Sequence, residues 1–189
     1  MYKEEICHSV HSLMKGFQYP WAIAGGWAID LHLGSVTREH SDIEIMIYRE
    51  DQFHLQHYLT DWHLNKVVEG AVIQWDIEET LELPIHEVHA EDSSMKLEVL
   101  LNESNADKWV YRRNNQITCP KAYTILHTSD GLPYLCPEIV LLYKSKNPRP
   151  KDEQDFVQIR DQLSAAQRSW LREAIEIMDR NHPWIDLLD

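Results

Sequence analysis

The chain has 189 residues, enough for one substantial core with a smaller appendage but not for two independent enzymes. Apolar residues make up 43% and charged residues 26% of it, which excludes a disordered or collagen-like chain. No apolar run approaches the roughly 20 residues that cross a bilayer, and the N-terminus MYKEEICHSV lacks the basic-then-apolar pattern of a signal peptide. These features predict a cytoplasmic protein with no membrane partner.

The formal net charge is −13 at pH 7. A chain this acidic would repel a phosphate backbone, so the charge argues against nucleic acid as a partner. Three cysteines without a C-x-x-C pair indicate reduced, mostly buried thiols rather than a disulfide framework or a zinc site. No cysteine stands at ligand spacing from the histidines of the middle segment, which are interpreted as surface or half-buried residues. These are His54, His57, His63, His86 and His89.

The first part of the chain has the pattern helix, strand, glycine turn, helix. Apolar positions at helical spacing predict a helix from Glu4 to Met14, and Trp21 to Ala24 is a short apolar run. Gly25 and Gly26 come next, and residues 27–33 fit a helix that stops at Gly34.

The middle of the chain is predicted to contribute most of the strands. Ile43 to Ile47 alternates apolar and polar residues, which predicts a strand that buries one face and shows carboxylates on the other. A helix from about Arg49 to Leu59 is expected next. Strand-like pieces then occur at residues 63–68, 85–89, 97–101 and 109–111.

The last third is helical in pattern. Pro137 to Tyr143 is an apolar helical stretch, and Lys151 to Leu163 restores helical periodicity. Ser164 stands three residues before Gln167, which is a capping-box signature. The chain is therefore divided into a catalytic domain, residues 1–135, and a C-terminal helical subdomain, residues 136–189.

Asp42 and Glu44 are the first candidates for chemistry. They stand two residues apart on the predicted strand, so both carboxylates project from one face. Two like charges this close favour a bound cation, and hard oxygen ligands suit Mg²⁺. The alternative is an exposed acidic strand edge.

Glu98 interrupts the apolar strand KLEVLL. A carboxylate on a central strand needs a partner. If this strand lies beside Ile43 to Ile47, Glu98 joins Asp42 and Glu44 as a third metal ligand, or as the base that deprotonates an acceptor hydroxyl. A surface-facing Glu on an edge strand is the alternative.

Phosphate could be bound by the glycine turn and by cations near the end of the chain. Gly25 and Gly26 open a helix, where backbone N–H groups and the helix dipole favour an anion, although an ordinary strand-to-helix turn looks the same. Lys144 leads a basic cluster with Lys146, Arg149 and Lys151, and a solvated helix end explains that cluster equally well.

Three acidic residues near these candidates also have two interpretations each. Asp152 and Asp155 either pair with the basic cluster or, the preferred interpretation, simply favour a helix N-terminus. Asp30 either caps its helix or pairs with Arg38.

Taken together, GGWAIDLHLGSVTREHSDIE resembles the signature of the aminoglycoside 2''-adenylyltransferase-like group of nucleotidyltransferases, in which G-G-W-A-[IL]-D precedes T-R-x-H-x-D-[IV]-D. The later stretches LEVLLNES and LPYLCPEIVLLYKSKNPRPKDEQDF also look like members of this group, as well as of its lincosamide-modifying relatives. The resemblance implies an α/β (α+β) nucleotidyltransferase fold, with a small mixed sheet flanked by helices and a C-terminal helical part that helps to form the cleft.

The resemblance also implies an activity: Mg²⁺-dependent transfer of a nucleoside monophosphate, with ATP as the expected donor, to a hydroxyl of a small molecule such as an aminoglycoside-like antibiotic. Residue by residue, it assigns Gly25 and Gly26 to the phosphate turn and Asp42 and Glu44 to the metal pair. Glu98 becomes the third carboxylate of the metal site and of catalysis. Arg38 falls on the arginine of the motif and joins Lys144 as a candidate for nucleotide binding.

Two residues depart from the family pattern, because Glu44 and Glu98 both stand where the family usually has the shorter Asp. The second metal ligand is usually Asp, and Glu44 adds a methylene that moves its carboxylate outward by more than ~1 Å. Two alternatives therefore stay open: a degenerate module that binds nucleotide without turnover, and a toxin-type enzyme that acts on a protein or tRNA. The acidity of the chain argues against tRNA, and the sequence predicts neither the acceptor nor an oligomeric state.

Overall fold

The computed structural model describes residues 5–188. Its helices are α1 (Glu5–Met14), α2 (Gly25–Leu33), α3 (Gln52–Tyr58), α4 (Pro137–Ser145), α5 (Pro150–Ile159) and α6 (Ala165–Met178). Its strands are β1 (Trp21–Ile23), β2 (Glu44–Tyr48), β3 (His63–Val68), β4 (Ala71–Gln74), β5 (Glu87–Glu91), β6 (Lys96–Asn105), β7 (Lys108–Val110), β8 (Thr118–Pro120), β9 (Ile125–His127) and β10 (Pro133–Leu135). The predicted mixed α/β class is confirmed. Across the described residues, no helix is both long enough and apolar enough to cross a membrane.

The strands form one mixed sheet in the order β4-β3-β5-β6-β2-β1-β10-β9, from which β7 and β8 branch off β6. Two neighbouring pairs are parallel, β2 with β6 and β1 with β10, and the other pairs along this path are antiparallel. β2 is thus a central strand between β1 and β6, which brings the glycine turn after β1 next to both carboxylate-bearing strands.

The burial of β2 differs from the sequence prediction. Ile45 and Ile47 are buried as expected, but Met46 on the opposite face is also fully buried. The reason is that both faces of this central strand are covered, as in strands of layered α/β sheets. The strand begins at Glu44, so Asp42 precedes it instead of lying on it. Only the first residue of the strand, Glu44, opens onto the cleft.

The helices after β10 pack back onto the first half of the chain. α4 contacts α2, α5 and α6, and α2 also contacts α5 and β10. Side chains from both sides of residue 135 belong to one hydrophobic cluster, in which Phe156 stacks on Trp184 with ring centroids 4.1 Å apart. The division into residues 1–135 and 136–189, whose ends lie outside the described residues, stays a prediction.

Most predicted elements occur with shifted bounds. Glu4, the predicted start of α1, lies outside the described residues. The predicted strand at 85–89 is β5 at Glu87–Glu91, and the predicted helix from Lys151 is α5 (Pro150–Ile159) followed by a short 3-10 turn. β4, β8, β9 and β10 were not predicted. The last three have three residues each, which is too few to show an alternating pattern of apolar and polar residues.

The capping box of α6 is present as the sequence predicts. The Gln167 backbone N–H donates to Ser164 Oγ, and the Ser164 N–H donates to Gln167 Oε1. Because this exchange satisfies two N–H groups of the first turn, it fixes where the helix begins after the 3-10 turn.

We expect Ser164→Ala to lower the free energy of unfolding by about 1 kcal/mol, because the N-cap oxygen is lost. Urea denaturation monitored by circular dichroism measures it. Ser9→Ala is the control, since Ser9 lies inside α1 and its hydroxyl donates only to the Glu5 carbonyl. Equal losses in the two variants would contradict a capping role for Ser164.

Candidate active site

The glycine turn lies directly against the acidic strand. Ala24 caps α2 in an extended conformation, and its N–H donates to the Glu44 carbonyl over 2.8 Å. Gly25 has φ +59, a region that favours glycine, and a Cβ on it would lie 1.4 Å from Glu44 Oε2. The carboxylate of Glu44 therefore rests on the bare α-carbon of Gly25.

Gly26 is needed for a different contact. A Cβ on it would lie 2.2 Å from Arg38 Nη2 and 2.6 Å from the His40 ring. Both side chains are fixed from behind: Arg38 by Asp155, and His40 by Asp30 over 2.6 Å. The T-R-x-H part of the motif thus folds back over the turn at the start of α2.

Sheet register brings the predicted carboxylates together. Glu44 on β2 pairs with Glu98 on β6 in parallel register. Neighbouring strands lie about 4.8 Å apart and cross-strand partners share a face, so the two side chains stand side by side. Asp42 lies just before β2 and lines the same cleft. The expectation that Glu98 lies beside the Asp42–Glu44 segment is thus met by the register.

The three carboxylates influence each other electrostatically. Burial, and after it the charges of Asp42 and Glu44, raises the pKa of Glu98 to about 7. Burial followed by the charge of Asp42 also raises the pKa of Glu44, against the opposing effect of Lys144. Glu44 and Glu98 are each harder to ionise because of burial and, after it, the negative charges nearby.

Glu98 has a second set of neighbours that the sequence did not single out. His89 on β5 pairs with Glu98 in antiparallel register, and His89 Nε2 lies 2.8 Å from Glu87 Oε1. Glu87, His89 and Glu98 each offer a ligand atom within 4.8 Å of the others, the one such group of three found in residues 5–188. The alternation of E-V-H-A-E on β5 is the signal that could have identified Glu87 and His89. Glu98 therefore stands between two acidic neighbours, Glu44 and Glu87.

The predicted nucleotide-binding cations line the cleft, but each is held by an aspartate of α5. Arg38 Nε and Nη2 donate to the two carboxylate oxygens of Asp155 over 2.7 and 2.9 Å. Lys144 Nζ lies 2.7 Å from Asp152 and 3.0 Å from Asp155. The aspartates are 3% and 1% exposed, so these pairs link α4, α5 and the motif segment in the interior.

These contacts decide the interpretations of the acidic residues: the preferred helix-end role is wrong for Asp155 and holds in part for Asp152. Asp155 does not serve a helix end but binds Arg38 and Lys144, while Asp152 both accepts the Arg149 N–H at the start of α5 and pairs with Lys144. Asp30 does not pair with Arg38. It accepts hydrogen bonds from the N–H and hydroxyl of Thr37 and contacts His40, because the loop after α2 turns back over the helix that carries Asp30.

These groups enclose a cleft of about 450 Å³. Every site residue predicted from the sequence lines it: Gly25, Gly26, Arg38, Asp42, Glu44, Glu98 and Lys144. Polar lining residues that were not predicted to lie there include His86, Glu87, Asn102, Arg112 and Arg113. The arginines follow β7, far in sequence from any motif. The cleft thus has an acidic floor on β2, β5 and β6 and basic side chains around it.

In this mixed sheet, carboxylates on adjacent parallel strands face a glycine turn at the start of a helix. This is the arrangement of a nucleotidyltransferase. A family model described as aminoglycoside-2''-adenylyltransferase matches residues 6–129. The chain belongs to the aminoglycoside-2''-adenylyltransferase family and is a nucleotidyltransferase enzyme.

Solved structures agree on the fold. A crystal structure of ANT(2'')-Ia in complex with adenylyl-2''-tobramycin is 16% identical and covers 94% of this chain and 99% of its own, with a TM-score of 0.63. The solution structure of ANT(2'')-Ia, an antibiotic-resistance factor, is 18% identical over 93% and 94%, with a TM-score of 0.61. The lincomycin-bound lincosamide adenylyltransferase LnuA is 17% identical over 83% and 96%, with a TM-score of 0.59. No curated protein sequence matches the chain.

The contact between Gly25 and Glu44 can be tested with a matched glycine. Gly25→Ala and Gly34→Ala both force alanine into a positive φ, but open space surrounds Gly34. We expect Gly25→Ala to lose about 1 kcal/mol more, because the half-buried Glu44 side chain must leave its rotamer. In a double-mutant cycle measured by chemical denaturation, Glu44→Ala should remove that excess. Equal losses for the two glycine variants would refute the contact.

The raised pKa of Glu98 makes stability depend on pH in a defined direction. The protonated form is favoured in the folded, metal-free protein, so stability is lost as the pH rises through about 7. We expect Glu98→Gln to raise the melting temperature at pH 8 and to change it little at pH 5. Glu91→Gln is the control, because Lys96 lowers the pKa of Glu91 and its loss should not stabilise at pH 8. Calorimetry at both pH values decides, and no stabilisation by Glu98→Gln at pH 8 would be the contrary result.

Proposed function

We propose that this enzyme transfers AMP from ATP to a hydroxyl group of a small molecule in a Mg²⁺-dependent reaction. The observation that carries the proposal is the in-register pair Glu44 and Glu98, with Asp42 beside them and the Gly25–Gly26 turn against them. Phosphoryl transfer depends mostly on positioning and on stabilising charge. This cleft offers positioning and charge stabilisation, because basic side chains surround its acidic floor.

The donor set has the chemistry of a magnesium site. Asp42, Glu44 and Glu98 supply only carboxylate oxygens, the hard ligands that Mg²⁺ prefers. In residues 5–188, however, the one group of three whose ligand atoms lie within 4.8 Å of one another is Glu87, His89 and Glu98. Asp42, Glu44 and Glu98 would hold the ion, which would supply positive charge against the charge that develops during phosphoryl transfer. Among these three proposed ligands, Asp42 is exposed and the two glutamates are half-buried.

Glu98 is the proposed base. It stands next to Glu44 in the register, at the middle of the cleft floor, and its carboxylate has Glu87 and His89 on its far side. A hydroxyl held over Glu98 would give up its proton there as its oxygen attacks the α-phosphorus, and pyrophosphate would leave.

The phosphates are proposed to lie between the turn and α4–α5. Gly25 and Gly26 begin α2, whose first N–H groups and dipole favour an anion. Lys144 and Lys151 influence the charge of Glu44, and Arg149 that of both Asp42 and Glu44. Arg38 and Lys144 are proposed to contact the nucleotide while Asp155 holds them in place.

Small hydroxyl-bearing antibiotics are the first acceptors to test. The structurally similar ANT(2'')-Ia was solved with adenylyl-2''-tobramycin and LnuA with lincomycin. The net charge of −13 argues against a nucleic-acid acceptor. We propose the cytoplasm, where ATP is available, as the site of the reaction.

A second candidate function is nucleotide binding without turnover. The specific observation behind it is that the longer side chain of Glu44 places its carboxylate on the α-carbon of Gly25, within the turn proposed to receive phosphate. Since a displacement of about 1 Å can cost a hundredfold in rate, Glu44→Asp separates the two functions. A wild type that binds ATP without transferring AMP, together with an active Glu44→Asp variant, would favour the binding module.

We expect Asp42→Asn to reduce AMP transfer at least ~100-fold and to weaken Mg²⁺-dependent ATP binding, because a metal ligand and its charge are lost. Transfer of radiolabel from α-labelled ATP to a panel of aminoglycosides and lincosamides measures the first effect, and calorimetry the second. Asp61→Asn, an exposed residue outside the cleft, is the matched control. If the wild type shows neither transfer to any acceptor nor Mg²⁺-dependent ATP binding, the proposal is wrong.

A further inference from the structure

Arg112 and Arg113 line the cleft but have no role in the proposed chemistry. Both follow β7, and both lie near Tyr143 of α4, with each guanidinium carbon 5.5 Å from the centre of its ring. Arg113 Nη1 donates to the Tyr143 carbonyl and to the Tyr111 hydroxyl. Arg113 is thereby fixed in place, whereas Arg112 keeps its donors free of such bonds.

Arg112 is a half-buried cation without an anionic partner. Over residues 5–188 its guanidinium makes no hydrogen bond or ion pair, only the stacking contact with Tyr143. Burial lowers its pKa, the nearby charge of Arg113 adds to this effect, and Arg49 contributes in the same direction. Arginine nevertheless stays protonated in proteins, so its charge is held in an unfavourable environment that an anion would relieve.

The surroundings contain too few carboxylates to provide that relief. Arg49 pairs with Glu103, which leaves Arg112 and Arg113 without an ion pair among the described residues. His86 lines the same cleft; burial lowers its pKa, and the charges of Arg112 and Arg113 act in the same direction, which favours the neutral ring. In neither form does a histidine supply negative charge. The two arginines thus form a second group of cations in the cleft, besides Lys144, Lys146, Arg149 and Lys151.

This positive end is separate from the proposed phosphate side. Lys144, Arg149 and Lys151 act electrostatically on Asp42 or Glu44, whereas the groups that act on Arg112 are Tyr143, Arg113, Tyr111 and Arg49. Two consecutive residues of α4 thus face different ends of the cleft. Lys144 faces α5 and the carboxylates, and Tyr143 faces the arginines.

The floor of the cleft connects the two ends. Leu100 and Asn102 follow Glu98 on the same face of β6, and all three line the cleft. A molecule whose hydroxyl lies over Glu98 can therefore extend along β6 past Leu100 toward Arg112. In-line attack requires the acceptor to enter opposite the leaving pyrophosphate, which places the acceptor, and not the triphosphate, at this end.

We propose that Arg112, with Arg113 and Tyr143, forms a subsite for an anionic group of the acceptor, a carboxylate or a phosphate. This inference rests on the proposed function, and it specifies the acceptor class: a hydroxyl compound that carries a negative charge, in contrast to the polycationic aminoglycosides. The guanidinium of Arg112 donates a forked pair of hydrogen bonds to that group, and the ring of Tyr143 holds the guanidinium plane.

The test compares each of two neutral sugars with an anionic derivative that keeps its ring. Calorimetry measures binding of ribose against ribose 5-phosphate, and of glucose against glucuronate, to the protein saturated with Mg²⁺ and a non-hydrolysable ATP analogue. We expect the charged member of at least one pair to bind about tenfold tighter, as charge-assisted hydrogen bonds imply. The pair that shows the preference distinguishes phosphate from carboxylate.

Arg112→Gln should abolish this preference and leave binding of the neutral sugars and of the ATP analogue unchanged. Arg112→Lys, which keeps the charge but not the fork, should retain part of it, and it serves if the glutamine variant is unstable. Lys108→Gln is the matched control: it removes one exposed charge from β7, outside the cleft, and should leave the preference intact.

Three results would overturn the inference. The first is that neither charged probe binds more tightly than its neutral partner, and the second is that tobramycin binds more tightly than every anionic probe. The third is a loss of affinity for the ATP analogue in Arg112→Gln, which would assign Arg112 to the triphosphate. The same titrations without nucleotide separate this failure from that of the proposed function. A protein that binds no ATP analogue but still prefers the anionic probes keeps the subsite and loses the nucleotide-transfer proposal.

Discussion

The parallel pairing of β2 with β6 determines the chemistry of the cleft. It sets Glu44 beside Glu98 at the distance between neighbouring strands, and the antiparallel pairing of β5 with β6 then adds His89 to the same row. Because side-chain direction alternates along a strand, a slip of one residue would turn Glu98 into the covered face and bring Leu97 or Val99 to the cleft. The buried neighbours Leu97 and Val99, 1% and 0% exposed, oppose that slip. Hydrophobic burial on one face thus holds like charges together on the other.

The cations on the opposite side are held by buried aspartates. Asp152 and Asp155 fix Lys144 and Arg38, whose side chains would otherwise have many rotamers. Fixing a long side chain before a ligand arrives removes an entropy cost from binding. The aspartates also join α5 to the motif segment, so the position of the cations depends on the packing of the C-terminal helices. The cleft is therefore formed by both parts of the chain.

Features that depend on periodicity and local pattern could be predicted from the sequence. The strand with Glu98 and the capping box at Ser164 depend on a buried face or on neighbours within a few residues. The place of that strand beside the Asp42–Glu44 segment depends on a long-range pairing, which the sequence offers only as one of two alternatives. The partners of Arg38 could not be predicted, because Asp155 is 117 residues away in the chain. Arg112 was not singled out for the same reason: its importance lies in the absence of a carboxylate among its described spatial neighbours, which no linear pattern records.

The two signs of charge in the cleft are physically interdependent. The floor carries Asp42, Glu44, Glu87 and Glu98, so by itself it would repel a triphosphate and attract only cations. The basic side chains by themselves would favour a free anion. A nucleotide triphosphate with its magnesium ion would satisfy both, since the carboxylates would hold the ion and Lys144 and its neighbours would bind phosphate oxygens. On this proposal, metal and nucleotide bind more tightly together than either does alone, because each screens a repulsion that the other would meet. Arg112 and Arg113, beyond Glu98, take no part in binding the metal or the triphosphate. On this proposal, their positive charge is therefore available to bind the molecule that receives the nucleotide.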